Sequence, residues 1–235
     1  MRIALICAME EELVAVTEFI NLPLVNILEK ASNKYFHYQS DNDTIISVVS
    51  GIGKVNAAVT TQILLDIFDV EYVINVGVAG SLTPELTFGD VVVANDLVQH
   101  DFDITAFGVP LGQIARMDVF GFAADEQLNA LIMAGLAIAG QQIQMGRIVS
   151  GDQFIDDAAK AKFLNEHFGA LACEMEGAAI AHVCYLNQKP FAVVRALSDM
   201  AGQSGSGAHS FEELKHMAAN RAALVVKNLL ENISA

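Results

Sequence analysis

The chain has 235 residues, 53% of them hydrophobic, with 13 basic against 28 acidic side chains and a net charge of −15. That field repels phosphate backbones and anionic membrane surfaces, so neither nucleic acid nor a membrane is an expected partner. The length suits one α/β domain over 1–235, no Pro-, Gly- or Ser-rich linker divides it, and no apolar run approaches the roughly 18 residues of a membrane helix.

Strand and helix signals alternate along the chain. Arg2–Ala8 is a short apolar run suited to a buried strand, and Glu10–Ile20 has helical character. The apolar Ile3–Met9 is too short for a secretory signal and ends in three glutamates, so a cytoplasmic protein is expected. Tyr35–Gln39 and Thr44–Val49 read as strands joined by the turn-forming Ser40–Asp43. Lys54–Phe68 has helical periodicity. Tyr72–Val76 reads as a buried strand ending in Gly77-Val-Ala-Gly80, and Asp90–Ala94 as another. Gln99–Phe122, with its glycines and aromatics, looks like an excursion from the core.

Further on, Asp125–Gly140 predicts a helix with Asp125 as N-cap and Gly140 as its stop. Ile143–Ser150 is a strand running into the loop Gly151–Asp156, and Asp157–Phe168 is a helix. The apolar Gly169–Cys173 leads through Glu174-Met-Glu176 into a helical stretch from Gly177. Phe191–Leu197 is too apolar to be anything but a buried strand, and it ends in Ser198-Asp199. Ser210 opens a closing helix to about Glu231, with Glu213 as capping-box partner. This alternation predicts an α/β three-layer sandwich, a central mixed, largely parallel β-sheet flanked by helices.

In such sheets ligands bind beyond the carboxyl ends of strands, where Glu12, Gly77–Ser81, Phe154, Glu176 and Asp199 stand. Carboxylates at the ends of buried strands are either satisfied ion pairs or acid–base equipment. Locally, Glu10–Glu12 is also favourable charge at a helix start, and Arg195 with a glutamate is a possible structural pair. Arg195 and Asp199 are four apart and share a face if the strand stays extended.

Other chemistries fit poorly. Gly51-Ile-Gly53-Lys54 matches neither a P-loop nor a dinucleotide fingerprint, and reads as a tight turn in which glycine permits close backbone approach. The six histidines form no ligand pair, and His100-Asp101 alone is a weak metal signal. Ser150 and Ser198 lie outside a nucleophile elbow; a hydroxyl beside Asp199 is better suited to donate to that carboxylate. Cys7, Cys173 and Cys184 read as buried free thiols.

Together, Ala8-Met-Glu-Glu-Glu12, Ser50–Lys54, Asn75–Gly80, His100-Asp101 with Thr105–Gly108, Val149–Phe154, Glu174–Glu176, Ala179–Cys184, Arg195–Asp199 and Ser210–Glu213 resemble the 5′-methylthioadenosine/S-adenosylhomocysteine nucleosidases of the nucleoside phosphorylase superfamily. The resemblance covers essentially the whole chain. It implies hydrolysis of an adenine nucleoside by a homodimer, with no metal or other cofactor. Glu12 would activate water, and Asp199, aided by Ser198, would protonate purine N7. Glu176 would hold the ribose hydroxyls, with Met175 beneath the sugar and Arg195 ordering the carboxylates. Glu174 would serve as their partner. Phe154 would stack on the base, the Ile155 backbone would read its edge, and Gly80 would leave room for it. Met9, Ile52 and Phe211 would line the thioalkyl end, helped by Ile104 and Phe107 of a second subunit. Many members carry Ser where this chain has Val78. Val78-Ala-Gly-Ser and Leu97-Val-Gln-His-Asp also occur in relatives that resemble futalosine-pathway nucleosidases, which makes 6-amino-6-deoxyfutalosine an additional candidate substrate. A purine nucleoside phosphorylase is the other alternative.

Overall fold

A computed structural model describes residues 1–134, 142–202 and 207–233, the side chains of 207–210, 213, 226 and 228–233 excepted. Strand β1 (Arg2–Cys7) lies between β4 (Thr44–Val49) and β5 (Tyr72–Ser81), parallel to both. On the outer side of β4 follow β3 (Asn33–Gln39) and the edge strand β2 (Leu24–Lys30), both antiparallel. Beyond β5 stand β9 (Ala170–Glu174), β8 (Ile143–Ser150), β6 (Val91–Gln99) and β10 (Phe191–Met200). The short β7 (Phe122–Ala123) pairs with β6.

The sheet closes on itself, because β10 also pairs with β5, in parallel, from Phe191↔Val73 to Met200↔Ser81. Five strands thus form a circuit, with β1, β4, β3 and β2 as a wing. The expected central mixed sheet is present. Its pairings divide evenly between parallel and antiparallel, and parallel pairing is concentrated at β1, β4, β5 and β10 and at β6, β8 and β9.

Alternation along β1 explains how the helices attach. Ala4 and Ile6 face one apolar cluster, which holds Leu64 of α2 (Lys54–Phe68) and Ile180 of α5 (Gly177–Leu186). Ile3, Leu5 and Cys7 face another, with Leu13 of α1 (Glu10–Thr17), Ile132 of α3 (Glu126–Ala134) and Ala222 of α6 (Gly207–Ile233). A third cluster packs α4 (Ala158–Phe168) on Val98 and Val149 through Leu164 and Phe168. Successive strand residues point to opposite faces, so one strand feeds two cores.

The expected cap at Asp125 is present, and Asp157, expected as the first residue of its helix, is instead the cap of α4. Asp125 Oδ1 accepts from the Leu128 amide at 2.9 Å and Asp157 Oδ1 from Lys160 at 2.7 Å, each satisfying a first-turn donor. The expected stop at Gly140 lies outside the described residues. Ser210 does not open the last helix, which starts at Gly207 and leaves Ser210 in its first turn. Both β5 and β10 outrun their expected ends: small residues Gly77–Ser81 continue the strand, since pairing to β10 supplies their backbone partners. Among the described residues no helix is long and apolar enough to cross a membrane.

Candidate active site

The strand ends surround a cavity of about 440 Å³, within the range of small-molecule pockets. Glu12, Met9, Ile52 and Gly80 line it, as do Phe154, Ile155, Met175, Glu176, Ser198, Asp199 and Phe211. Three predicted residues do not. Arg195 stands behind Glu174, while Ile104 and Phe107 lie in the loop between β6 and β7, at a single 3₁₀ turn, Thr105–Phe107. Phe107 is 85% exposed.

Glu12 is buried at the start of α1. Its Oε2 accepts from the Ala8 and Met9 amides at 2.9 and 3.0 Å, and its Oε1 from Val78 at 3.0 Å. The Met9 bond is also what a helix-capping glutamate makes, so the helix-start reading and the site reading describe one side chain. Burial raises the Glu12 carboxyl above its ordinary range, against the pull of Arg195 and the three amides. Gly77 makes this possible: a Cβ there would stand 2.6 Å from Glu12 Oε1 and 3.1 Å from Arg195 Nη1.

Arg195 is the central cation. Its Nη2 donates to Glu174 Oε2 and Asn75 Oδ1, both at 2.5 Å, and lies 4.0 Å from Glu176 Oε2. Glu174 is saturated with donors. Besides Arg195 it accepts from the Ser150 hydroxyl and from the Glu176 and Gly177 amides at 3.1 and 2.7 Å. Glu176 has less support: Oε1 accepts from the Gly53 amide at 2.8 Å. Three buried carboxylates therefore share one guanidinium. Burial and the neighbouring Glu174 charge push Glu176 up to about 8, more than Arg195 and Gly53 can offset.

Asp199 sits apart from this group. Ser198 Oγ donates to its Oδ1 at 2.7 Å, as the sequence suggested. Burial raises its carboxyl, the Ser198 bond opposes this, and Asp156 adds to it. Pairing between β10 and β5 shifts register between Leu197 and Asp199, so the simple alternation that put Arg195 and Asp199 on one face is broken. Asp199 Oδ2 lies beside Gly80, where a Cβ would come within 3.4 Å.

At the mouth, Phe154 and Phe211 meet edge to face with ring centroids 5.9 Å apart. The Ile155 carbonyl accepts from the Gly202 amide at 3.0 Å. Sequence reasoning missed Cys173, which lines the cavity beside Glu174. Its apolar surroundings on β9 gave no sign of that; burial, then the Asp199 and Glu174 charges, push its thiol up and disfavour the thiolate. All three cysteines are free.

A nucleoside-sized cavity ringed by carboxylates, at the strand ends of a closed mixed sheet, defines an α/β protein of the nucleoside phosphorylase-like class. The phosphorylase superfamily profile matches residues 2–231, and the chain belongs to that superfamily. It is 40% identical over 233 residues to the 5′-methylthioadenosine/S-adenosylhomocysteine nucleosidase of Marinomonas sp., covering 97% of this chain and 98% of that one. It is 36% identical to the aminodeoxyfutalosine nucleosidase of Campylobacter jejuni over 99% of this chain and all of that one. Among solved structures, S-adenosylhomocysteine nucleosidase from Streptococcus pyogenes in complex with 5-methylthiotubericidin superposes with a TM-score of 0.91. The two are 37% identical, over 99% and 97% of the chains.

Proposed function

We propose that this protein hydrolyses the N-glycosidic bond of 5′-methylthioadenosine and S-adenosylhomocysteine, releasing adenine and the 5-thio-ribose. The observation that carries the reading is the separation of carboxylates: Glu12 is held by three amides, while Asp199 is buried with a hydroxyl as its side-chain partner. Glu12 takes a proton from water as the water oxygen bonds to the anomeric carbon. The C–N bond breaks, its electrons pass into the purine, and Asp199 gives a proton to N7. A raised pKa suits both, making Glu12 a stronger base and keeping Asp199 protonated until it is used. Glu176 holds the ribose hydroxyls, Met175 lies beneath the sugar, and Arg195 orders the carboxylates. Phe154 stacks on the base and the Ile155 backbone reads its edge, its carbonyl keeping one lone pair beyond the Gly202 bond. Met9, Ile52 and Phe211 line the 5′ end. Ile104 and Phe107 complete it in a partner's site, so the enzyme works as a homodimer.

Hydrolysis is favoured over phosphorolysis by where the basic groups point. Lys54 Nζ is paired with Asp101 at 2.5 Å, the Gly53 amide is occupied by Glu176, and Arg195 is engaged by Glu174. Neither Lys54 nor Arg195 lines the cavity, where a phosphate nucleophile would have to be held. The relationship to the Campylobacter jejuni nucleosidase favours 6-amino-6-deoxyfutalosine as a second substrate, since the same cavity would cleave its adenine. We also read 1–235 as one domain, a three-layer sandwich with helices over both sheet faces, in a reducing cytoplasm where three free thiols persist. The test is adenine release from all three nucleosides, with and without phosphate. Release independent of phosphate is expected; strict phosphate dependence, or no release, refutes the hydrolase.

A further inference from the structure

Three segments that meet just outside the cavity are tied by a closed ring of hydrogen bonds. The Lys54 amide donates to Asp152 Oδ1 at 2.8 Å, Lys54 Nζ to Asp101 Oδ1 at 2.5 Å, and the Asp152 amide to Asp101 Oδ2 at 2.9 Å. Lys54 opens α2, Asp101 follows β6, and Asp152 follows β8. None of the three lines the cavity. We propose that Lys54, Asp101 and Asp152 are positioning residues, setting the base-stacking loop Gly151–Ile155 in register with the sugar-binding Glu176. The proposal rests on the nucleosidase reading and names what aligns the two halves of that site.

The ring touches both halves within a few residues. On one side, Gly53, next to Lys54, gives its amide to Glu176 Oε1 at 2.8 Å. On the other, Phe154 and Ile155 follow Asp152 by two and three positions. A base and a sugar bound together need those halves at a fixed separation, and a small misplacement of a binding group costs heavily in turnover or affinity.

The bland alternative is a surface ion pair, which contributes little. Several observations oppose it. The Lys54 and Asp101 side chains are only 17% and 16% exposed. Lys54 Nζ has a second acceptor, Gln99 Oε1, at 3.3 Å. Burial acts to raise the Asp101 carboxyl, yet the Lys54 ammonium and the Asp152 amide outweigh it and hold it below its usual range. The backbone also leaves no slack. A Cβ on Gly53 would stand 3.2 Å from Asp152 Oδ1, and one on Gly151 would stand 2.4 Å from His100 Nε2.

The experiment compares Asp101→Asn, Lys54→Met, their double variant and Lys54→Arg with the unaltered full chain. Steady-state kinetics on 5′-methylthioadenosine are read beside hydrogen exchange of the 151–155 amides without ligand. Asp101→Asn and Lys54→Met are expected to raise KM about tenfold while kcat stays within about threefold. Lys54→Arg recovers most of the loss. The double variant falls short of the product of the singles, because one ring is broken only once. A wild-type KM in Asp101→Asn overturns the proposal, whatever happens to its melting temperature. If the unaltered chain releases no adenine, the nucleosidase reading fails and exchange alone decides. Faster exchange at 151–155 in Asp101→Asn then supports the ring, and an unchanged rate overturns it.

Discussion

The Val78 amide donates to Glu12 Oε1 at 3.0 Å across 66 positions of sequence, fixing the start of α1 to β5. With the Ala8 and Met9 amides on Oε2, three donors meet one carboxylate. Glu12→Gln keeps the shape but presents one oxygen and one NH₂ group to those donors. It loses the base and turns a donor toward a donor. The expected outcome is a kcat lower by about 10²–10⁴, with stability reduced by about 1–3 kcal/mol. Adenine release and thermal unfolding measure both, and a near-wild-type kcat removes Glu12 from its role.

Gly77→Ala reaches the same carboxylate from behind. The added methyl meets Glu12 Oε1 at 2.6 Å and Arg195 Nη1 at 3.1 Å, and both are ends of flexible side chains. They can move aside, but only by leaving their places. Activity is therefore expected to fall by more than about tenfold, while the melting temperature drops by only a few degrees. Equal activity in the Ala variant means that Glu12 placement does not limit turnover.

Much of this architecture is written locally. Lys54–Phe68 and Ile143–Ser150 have the predicted ends, because hydrophobic period and turn residues bound them on both sides. The strand Leu24–Lys30 was not anticipated: it is an edge strand, largely exposed, so its sequence carries no alternation. Closure of the sheet through β10 and β5 was also hidden, since pairing between residues more than a hundred positions apart leaves no local pattern. In the site, the carboxylates were legible as charges where burial alone would not put them. The irregularity before Asp199 was not, because a register shift depends on the neighbouring strand. Locally, His100-Asp101 reads as a weak metal signal, yet Asp101 pairs with Lys54, which only the fold brings near.

Phe107 tests the homodimer. Asp103 Oδ1 accepts from the Thr105 amide and hydroxyl at 2.9 and 2.7 Å, stiffening the turn that holds the ring outward. Phe107→Asp is expected to weaken self-association in sedimentation and to raise KM by about tenfold or more. Mixing it with the Glu12→Gln variant should restore turnover, because a mixed dimer joins an intact base to a partner's intact Phe107. No recovery on mixing, with both variants still dimeric, argues that Phe107 does not act in the neighbouring site.

Glu176 gives the protein a pH-dependent stability. Its carboxyl moves from an ordinary 4.5 to about 8 in the fold, first through burial and then through repulsion from Glu174, with Arg195 and the Gly53 amide opposing. Between those values the folded chain holds a proton that the unfolded chain has released. Stability therefore falls as pH rises from 4.5 through about 8, the reverse of a salt-bridged carboxylate. Glu12 and Asp199 are raised too and add slope of the same sign. Glu176→Gln removes its own share, so its melting temperature should decline less than that of the unaltered chain between about pH 5 and 8, inside the window that those two values set. Parallel melting curves would mean that Glu176 is ionised throughout, with Arg195 neutralising it despite its 4.0 Å separation and its closer bond to Glu174.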